Sequence, residues 1–172
     1  MRIIAGLARG RRILSPIGMD TRPTLDRIKE SIFNIIQNKV RNSITLDMFS
    51  GTGSLGLEAA SRGAKHCYLI DKGKETYSFL KENIEKLGFN NICESYNMDS
   101  YDSITMFSKK GIVFDIIFID PPYLKDMIPP AIEMIDDTNI LSRDGIIISK
   151  IDSSEILYNG NNNIFLYDSR SN

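Results

Sequence analysis

Residues that bind metals through sulfur or nitrogen are scarce in this 172-residue sequence. It contains two cysteines, Cys67 and Cys93, and a single histidine, His66. These side chains do not suffice for a Cys/His zinc site, and the absence of a C-x-x-C pair excludes the usual redox motif. We therefore expect no metal, and we expect both thiols to be reduced and buried in apolar strands.

Long apolar runs are also missing, since the longest have five or six residues and a membrane-spanning helix needs about 20. Arg9, Arg11 and Arg12 interrupt the apolar N-terminus before a signal-peptide core could form. A composition with 42% hydrophobic and 25% charged residues is typical of a soluble globular protein. We expect a cytoplasmic protein with no membrane association, formed by a single domain over residues 1–172.

Acidic residues are absent from the first 14 positions, which contain four arginines. Residues 1–30 carry a net charge of +4, whereas residues 31–172 carry a net charge of −5. A basic end on a near-neutral protein suggests contact with a polyanion, although a solubilising terminus would explain the charge equally well. Residues 1–20 are predicted to form a basic arm or hairpin ahead of an α/β core over residues 21–172.

Strand-like and helix-like patterns alternate through that core. The predicted strands are 43–49, 66–71, 91–98, 114–120, 145–150 and 163–168, and the predicted helices are 24–38, 55–62, 74–87, 100–109 and 125–136. The first helix is predicted to begin at a Thr24 cap and to have one apolar face, formed by Leu25, Ile28, Ile32, Ile35 and Ile36. This order indicates an α/β fold with a doubly wound, mostly parallel sheet, which binds ligands beyond the carboxyl ends of its strands.

A glycine-rich turn follows the first predicted strand. Gly51, Gly53 and Gly56 form a G-x-G-x-x-G sequence, in which glycine lets the backbone turn tightly and a ligand approach. Asp71 ends the next strand, where a carboxylate can accept hydrogen bonds from ribose hydroxyls. Taken alone, this pair fits NAD, FAD or S-adenosylmethionine, or a structural turn without a ligand. Asp47 favours S-adenosylmethionine, because a carboxylate suits a cationic ligand and would repel a pyrophosphate.

The sequence Asp120-Pro121-Pro122-Tyr123 follows the fourth predicted strand and favours chemistry on a base amine. Asp120 and a proline carbonyl can accept the hydrogens of an exocyclic amine, which orients its lone pair. The prolines lack an N–H group and stiffen the turn. Tyr123 can stack on a base that is turned out of its helix. The alternative interpretation is purely structural: the prolines end the strand, and the tyrosine lies in the turn that follows.

Several segments together resemble a known family. Besides the glycine turn with Asp71 and the Asp-Pro-Pro-Tyr sequence, the matching segments are 2–6, 9–14, 21–34 and 57–64. The sequence resembles class I S-adenosylmethionine-dependent methyltransferases, and among them the bacterial small-subunit (16S) rRNA guanine-N2 methyltransferases of the D type. The resemblance extends from Arg2 to about Ser149, and the segment 21–34 is its most specific part.

This resemblance implies a Rossmann-like class I methyltransferase fold and methylation of the N2 amine of one guanine in 16S rRNA. It implies that S-adenosylmethionine is bound by Asp47, Phe49, Gly51, Gly53, Asp71, Lys72 and Asp99. The guanine would be held by Asp120, Pro121, Pro122 and Tyr123, and RNA phosphates by Arg2, Arg9, Arg11, Arg12 and Arg22. We expect a monomer. We expect its substrate to be the rRNA within the small ribosomal subunit, because the basic arm is short and no large RNA-binding domain accompanies it.

Two features depart from the family pattern. Family members usually have a further strand after the segment matched by 165–170, so we expect the last strand of the sheet to be missing here. Lys150 stands where an acidic residue is common in the family.

Other functions are consistent with parts of the sequence. An adenine or cytosine amino-methyltransferase acting on DNA or another RNA would use the same Asp-Pro-Pro-Tyr chemistry, although the DNA enzymes carry a separate target-recognition domain for which this chain has no room. An NAD-dependent oxidoreductase would share the glycine turn but would need a better proton donor than His66. A non-catalytic RNA-binding ribosome assembly factor would retain the cofactor pocket as a vestige.

Overall fold

A computed structural model describes residues 1–18 and 23–171 of the chain. Within these residues, helices and strands alternate in the order α1 (Pro23–Val40), β1 (Ile44–Asp47), α2 (Ser54–Ser61), β2 (His66–Asp71), α3 (Lys74–Leu87), β3 (Cys93–Asn97), α4 (Ser100–Lys109), β4 (Phe114–Ile119), α5 (Ile128–Thr138) and β5 (Leu141–Ser149). The predicted α/β alternation is confirmed, and the bounds of β2, α3 and α4 are those that the sequence predicted. No helix in the described ranges is both long enough and apolar enough to cross a membrane.

The strands form one parallel sheet in the order β3-β2-β1-β4-β5. Strand β1 lies at the centre, and Asp47 at its end is in register with Leu69 of β2 and Phe118 of β4. The chain crosses from one half of the sheet to the other between β3 and β4. Doubly wound sheets bind ligands where the strand order reverses in this way, beyond the carboxyl ends of the strands.

Apolar side chains cover both faces of the sheet. On one face, α1, α2, α3 and the N-terminal arm pack around Phe33, Leu57 and Leu80. On the other face, α4 and α5 pack around Phe107 and Ile135. Burial on both faces explains the continuous apolar sequence of β4.

Helix α1 buries a face that matches the sequence prediction only in part, since Ile36 is buried and Ile32 packs against the core as predicted. Leu25 and Ile35 were predicted to be buried but are 38% and 48% exposed, whereas Lys29 and Phe33 are buried. Lys29 is buried because it pairs with the buried Glu58. A hydropathy pattern cannot show this, because it assigns charged residues to the surface. The predicted cap at Thr24 lies outside the side chains that the structure describes.

Residues 1–14, which we call the arm, form a short antiparallel hairpin on the face that carries α2 and α3. Arg2 and Arg12 form an antiparallel bridge, with hydrogen bonds from the Ile3 N–H to the Arg11 carbonyl and from the Ile13 N–H to the Met1 carbonyl, both 2.9 Å long. The predicted N-terminal hairpin is therefore present.

The end of the chain differs from its prediction. Strand β5 begins four residues earlier than predicted, and the strand predicted at 163–168 is wrong. Residues 151–171 contain one isolated bridge, between Gly160 and Phe165, and leave Phe165 72% and Tyr167 92% exposed. In the described part of the chain, β5 is thus an edge of the sheet.

Candidate active site

All four predicted site carboxylates lie on the carboxyl side of the sheet. Asp47 ends β1, Asp71 ends β2, Asp99 directly precedes α4, and Asp120 directly follows β4. Parallel pairing brings these strand ends to the same edge. The carboxylates of Asp71 and Asp120 both act electrostatically on Asp47, so these three groups share one site.

Asp47 is the most deeply buried of the four, with 1% of its surface exposed. Its Oδ2 accepts a hydrogen bond of 3.0 Å from the Gly56 N–H, whereas its Oδ1 has no hydrogen-bond partner among the described residues. Burial raises the pKa of Asp47 to about 7; the Gly56 hydrogen bond opposes this rise, and Asp120 and Asp71 add to it. A cation placed beside Asp47 would stabilise its ionised form.

The glycines of the turn between β1 and α2 have different roles. Gly51 has a φ of +55°, and a Cβ there would have no atom of the described residues within 4 Å, so they leave open space at this position of the turn. Gly53 has a φ of +105°, and a Cβ there would lie 2.6 Å from the Leu57 side chain. Gly53 therefore permits close packing of the turn on α2, while Gly51 leaves room for a ligand.

Asp71 is oriented by the turn that follows β2. Its Oδ2 accepts hydrogen bonds from the Gly73 N–H, at 3.0 Å, and from the Thr76 hydroxyl. Asn97, at the end of β3, donates to the Asp71 carbonyl at 2.8 Å. No hydrogen bond within the described ranges occupies Oδ1 of Asp71, so this oxygen can accept one from a ligand. The predicted Lys72 is exposed beside it.

Asp99 caps α4 with one of its carboxylate oxygens, which leaves the other oxygen for a ligand. Its Oδ1 accepts hydrogen bonds from the backbone N–H groups of Tyr101 and Asp102, at 2.9 and 3.2 Å. Tyr101 also makes an edge contact with the ring of Phe49, at 6.5 Å between centroids, and donates its hydroxyl to the Met127 carbonyl. These contacts connect the start of α4 to the turn after β1 and to the segment that precedes α5.

The Asp-Pro-Pro-Tyr segment continues β4 and forms the rim of the site beside Asp47. Pro121 is buried, Pro122 is exposed, and Tyr123 is 44% exposed, so its ring is open to a planar ligand. Oδ2 of Asp120 lies 3.5 Å from Nζ of Lys150. Burial raises the pKa of Asp120, and the Lys150 ammonium opposes that rise.

The four described arginines predicted to bind nucleic acid are all exposed on the arm. Arg2 lies 3.6 Å from Asp26, and Arg11 donates to the carbonyl of Lys86, while Arg9 and Arg12 have no ion pair within the part of the chain that is described. The arm therefore presents cationic side chains to solvent. Arg22 lies outside the described residues.

Comparisons with known proteins show the family and the fold. A family model described as "Conserved hypothetical protein 95" matches residues 1–172. The chain belongs to this family.

Several named proteins are similar to this member of the family. Ribosomal RNA small subunit methyltransferase D of Haemophilus influenzae is 36% identical over 148 residues, which cover 86% of this chain and 76% of that protein. The Escherichia coli (strain K12) protein of the same name is 31% identical over 147 residues, which cover 86% of this chain and 72% of that protein. A solved Escherichia coli structure described as "Putative methyltransferase yhhF" has a TM-score of 0.88 at 29% identity. The match covers 99% of this chain and 91% of that one. The expected family and the Rossmann-like methyltransferase fold are confirmed.

In this family member, a buried carboxylate that the sequence analysis overlooked attaches the arm to the core. Glu58 of α2 is fully buried and accepts hydrogen bonds from the N–H groups of Ile4 and Ala5, at 2.8 and 3.1 Å. It also pairs with Lys29 at 3.2 Å and with Arg62 at 3.0 Å. The signal in the sequence was a lone acidic residue within the otherwise small and apolar segment of α2.

A buried amide, also overlooked, connects the arm to the glycine turn. Oδ1 of Asn83 in α3 accepts a hydrogen bond of 2.8 Å from the Leu14 N–H. Its Nδ2 donates to the carbonyls of Leu14 and Thr52, at 3.0 and 2.9 Å. Asn83 lies next to Ile84 and three positions after Leu80 on the buried face of α3, where a polar residue interrupts the apolar pattern.

Proposed function

We propose that this protein is an S-adenosylmethionine-dependent methyltransferase whose acceptor is the exocyclic N2 amine of a guanine in small-subunit (16S) rRNA. The names of its relatives from Haemophilus influenzae and Escherichia coli support the reaction and the RNA substrate. The observation that carries the proposal is the position of Asp120-Pro-Pro-Tyr beside the buried Asp47, at the point where the strand order of the sheet reverses. We further propose a single domain that acts in the cytoplasm, where bacterial ribosomes are assembled.

The residues around the glycine turn fit S-adenosylmethionine. Asp47 offers an unpaired buried oxygen to a cationic ligand, and Gly51 leaves space beside the turn. The second oxygens of Asp71 and Asp99 can accept hydrogen bonds from ribose hydroxyls and from an adenine amine. When bound, this cofactor supplies an electrophilic methyl group on a sulfonium centre. We assign its binding to Asp47, Phe49, Gly51, Gly53, Asp71, Lys72 and Asp99.

The rim residues are assigned to the guanine. The lone pair of N2 is conjugated with the ring, so the free amine is a poor nucleophile. Asp120 and the Pro121 carbonyl would accept its two hydrogens, favour a pyramidal nitrogen and stabilise the positive charge that develops on it. Pro122 stiffens the turn, and the exposed ring of Tyr123 provides a stacking surface. Asp120 need not be a strong base, because the methylated amine loses its proton readily.

The arm is assigned to the RNA backbone. The exposed guanidinium groups of Arg2, Arg9, Arg11 and Arg12 can bind phosphates, and such contacts fix the register of a protein on RNA. We place Arg22 in the same group from its sequence position. The fixed attachment of the arm through Glu58 and Asn83 would hold these charges in one place relative to the site.

The test is transfer of label from methyl-labelled S-adenosylmethionine to small ribosomal subunits that lack this modification, to their bare rRNA and to DNA. We expect N2-methylguanosine, identified by mass after digestion to nucleosides, in the rRNA. Asp120→Ala should abolish the transfer and leave cofactor affinity within about threefold, because Asp120 holds the acceptor amine. Asp168→Ala removes a carboxylate from an exposed ion pair and is the matched control.

Each alternative predicts a different result in this assay. Label in a methyladenine, or in DNA, would preserve the enzyme class and contradict the substrate. An RNA complex unaffected by Asp120→Ala, with no labelled product from any substrate, would favour the assembly factor. Loss of cofactor binding in Asp120→Ala would contradict the role assigned to this residue.

A further inference from the structure

We propose that Lys150 selects the target base by donating a hydrogen bond from its ammonium group to the carbonyl oxygen O6 of the guanine whose amine Asp120 holds. This inference rests on the proposed function and deepens it by naming a residue that distinguishes guanine from bases without that carbonyl.

The backbone of Lys150 is fixed at the site by the pairing of two strands. Ser149, the last residue of β5, is in register with Ile119, the last residue of β4. The Lys150 N–H then donates to the Ile119 carbonyl at 3.1 Å. Lys150 and Asp120 are therefore the first residues beyond two adjacent strands, at the edge where the sheet binds ligands.

The side chain of Lys150 reaches both ends of the Asp-Pro-Pro-Tyr segment. Its Nζ lies 3.5 Å from Oδ2 of Asp120 and 5.7 Å from the centroid of the Tyr123 ring. The side chain is 22% exposed, so it is largely removed from water yet accessible to a ligand. Since 3.5 Å exceeds the length of an ordinary N–H···O hydrogen bond, the ammonium group retains donors for a bound base.

The charges of this pair support each other. Burial lowers the pKa of Lys150, but the interactions with Asp120 and Tyr123 together outweigh that effect and the pKa is raised. Lys150 is therefore a cation at neutral pH. In turn, its ammonium opposes the effect of burial on the partly exposed Asp120, and the fully buried Asp47 is a further carboxylate that interacts with Asp120. A carboxylate and an ammonium group thus stand side by side at the rim.

This arrangement matches the base-pairing edge of guanine. That edge presents the N2 amine, the N1–H and the O6 acceptor in sequence, so the two oxygens of Asp120 can face both donors while Lys150 faces O6. In adenine and cytosine, the ring nitrogen beside the amine is an acceptor, which a carboxylate repels. Stacking on Tyr123 would hold the base in the plane that brings O6 towards Nζ.

The test combines a variant of the enzyme with a variant of the base. After the wild-type protein has identified the methylated position, rRNA is assembled from ligated fragments with either guanine or 2-aminopurine at that position. 2-Aminopurine keeps the amine but lacks O6 and the N1–H. The N1–H faces Asp120, which is 3.5 Å from Lys150, so the effects of the two changes need not add, and the comparison measures the coupling between Lys150 and the base.

On guanine RNA, Lys150→Met should lower kcat/KM by about 10- to 100-fold, the range for a hydrogen bond to a charged group. On 2-aminopurine RNA the same variant should match the wild type within about threefold. Lys150→Arg should recover most of the activity on guanine RNA, because it keeps a cationic donor. Lys110→Met is the matched control, because Lys110 lies 5.2 Å from the ring of Tyr96 beside β3 and should alter neither rate.

Equal losses on the two RNAs would overturn the inference and would mean that Lys150 acts only through Asp120. Full activity of Lys150→Met on guanine RNA would overturn it as well. Thermal melting and cofactor affinity check that the variants fold, and Lys150→Gln replaces Lys150→Met if the latter does not. Absence of methylated guanine with the wild-type protein would contradict the proposed function, and this inference with it.

Discussion

The arm and the segment that follows β5 both lie outside the central sheet, yet they are attached to it in different ways. Backbone groups of the arm bind side chains that are themselves buried, among them Glu58 and Asn83. Residues 151–171 make exposed hydrogen bonds, such as those from Tyr158 and Asn161 to Glu133, and only partly buried apolar contacts, through Ile151, Tyr158 and Ile164. Water competes for exposed hydrogen bonds, whereas a buried group without its partner is costly.

This difference explains how a cationic arm can be rigid. Its apolar residues, such as Ile3 and Ile13, face the core, and its N–H groups are satisfied by Glu58 and Ser61 of α2. Its arginines are left on the outer side. A segment attached in this way can present fixed charges to RNA, which flexible charges would do only at a cost in entropy.

The largest effect is expected from Glu58→Gln, which removes the charge that binds the arm. The variant would leave Lys29 buried beside a neutral partner, and breaking a buried ion pair typically costs about 3–5 kcal/mol. We expect a loss of this size in the free energy of unfolding, measured with urea at pH 7. Glu82→Ala, which breaks an exposed pair with Lys86 on α3, should cost less than about 1 kcal/mol.

The pH dependence of Glu58→Gln sharpens this prediction. Burial lowers the pKa of Lys29 and Glu58 opposes that effect, so the variant should have a still lower pKa at Lys29. The unfolded chain would then bind more protons than the folded one below the ordinary lysine pKa, and stability would rise with pH. The difference in the free energy of unfolding between the wild type and Glu58→Gln should therefore become smaller between pH 6 and pH 9. A difference that is constant over this range would contradict the role of Lys29.

A smaller effect is expected from Asn83→Leu, which separates the arm from the glycine turn. It leaves the N–H and carbonyl of Leu14 and the carbonyl of Thr52 without this partner, at a cost of about 2 kcal/mol. Cofactor affinity, measured by calorimetry, should fall as well, because Thr52 belongs to the turn. Asn34→Leu, at an exposed position of α1, is the control. Unchanged cofactor affinity in a destabilised Asn83→Leu would show that the turn does not depend on this amide.

The smallest effect is expected in the segment after β5. Phe165→Ser should change the free energy of unfolding by less than about 0.5 kcal/mol, because the ring is already exposed. Phe33→Ala, which removes a fully buried ring, should cost about 3–5 kcal/mol in the same measurement. A loss above 1 kcal/mol in Phe165→Ser would mean that the two ends of the chain are attached more similarly than the structure indicates.

Elements with strong local signals were predicted well. Helix α3 has an apolar face of regular spacing and ends at Gly88, whose φ of +72° suits a left-handed cap. Helix α4 begins at the cap formed by Asp99. Prediction was wrong for residues 163–168, where a run of apolar and aromatic residues has no neighbouring strand to pair with in the described structure. A strand needs a partner as well as a favourable sequence.

The placement of the candidate site residues followed from the fold class. Once strands and helices alternate, a parallel sheet brings the residues after its strands to one edge, and Asp47, Asp71 and Asp120 are such residues. The sequence could not show that Lys150 pairs with Asp120, because this contact depends on which strands are neighbours.

By itself, the sequence determined the α/β fold, the bounds of β2, α3 and α4, and the glycine and Asp-Pro-Pro-Tyr segments of the site. These features depend on patterns over short stretches of sequence. Only the tertiary structure decided which polar residues are buried and what they bind. Glu58 contacts Ile4 across 54 positions, and Asn83 contacts Leu14 across 69. A buried polar group is stable only with its partner, and a local pattern contains no information about a partner so distant in the chain.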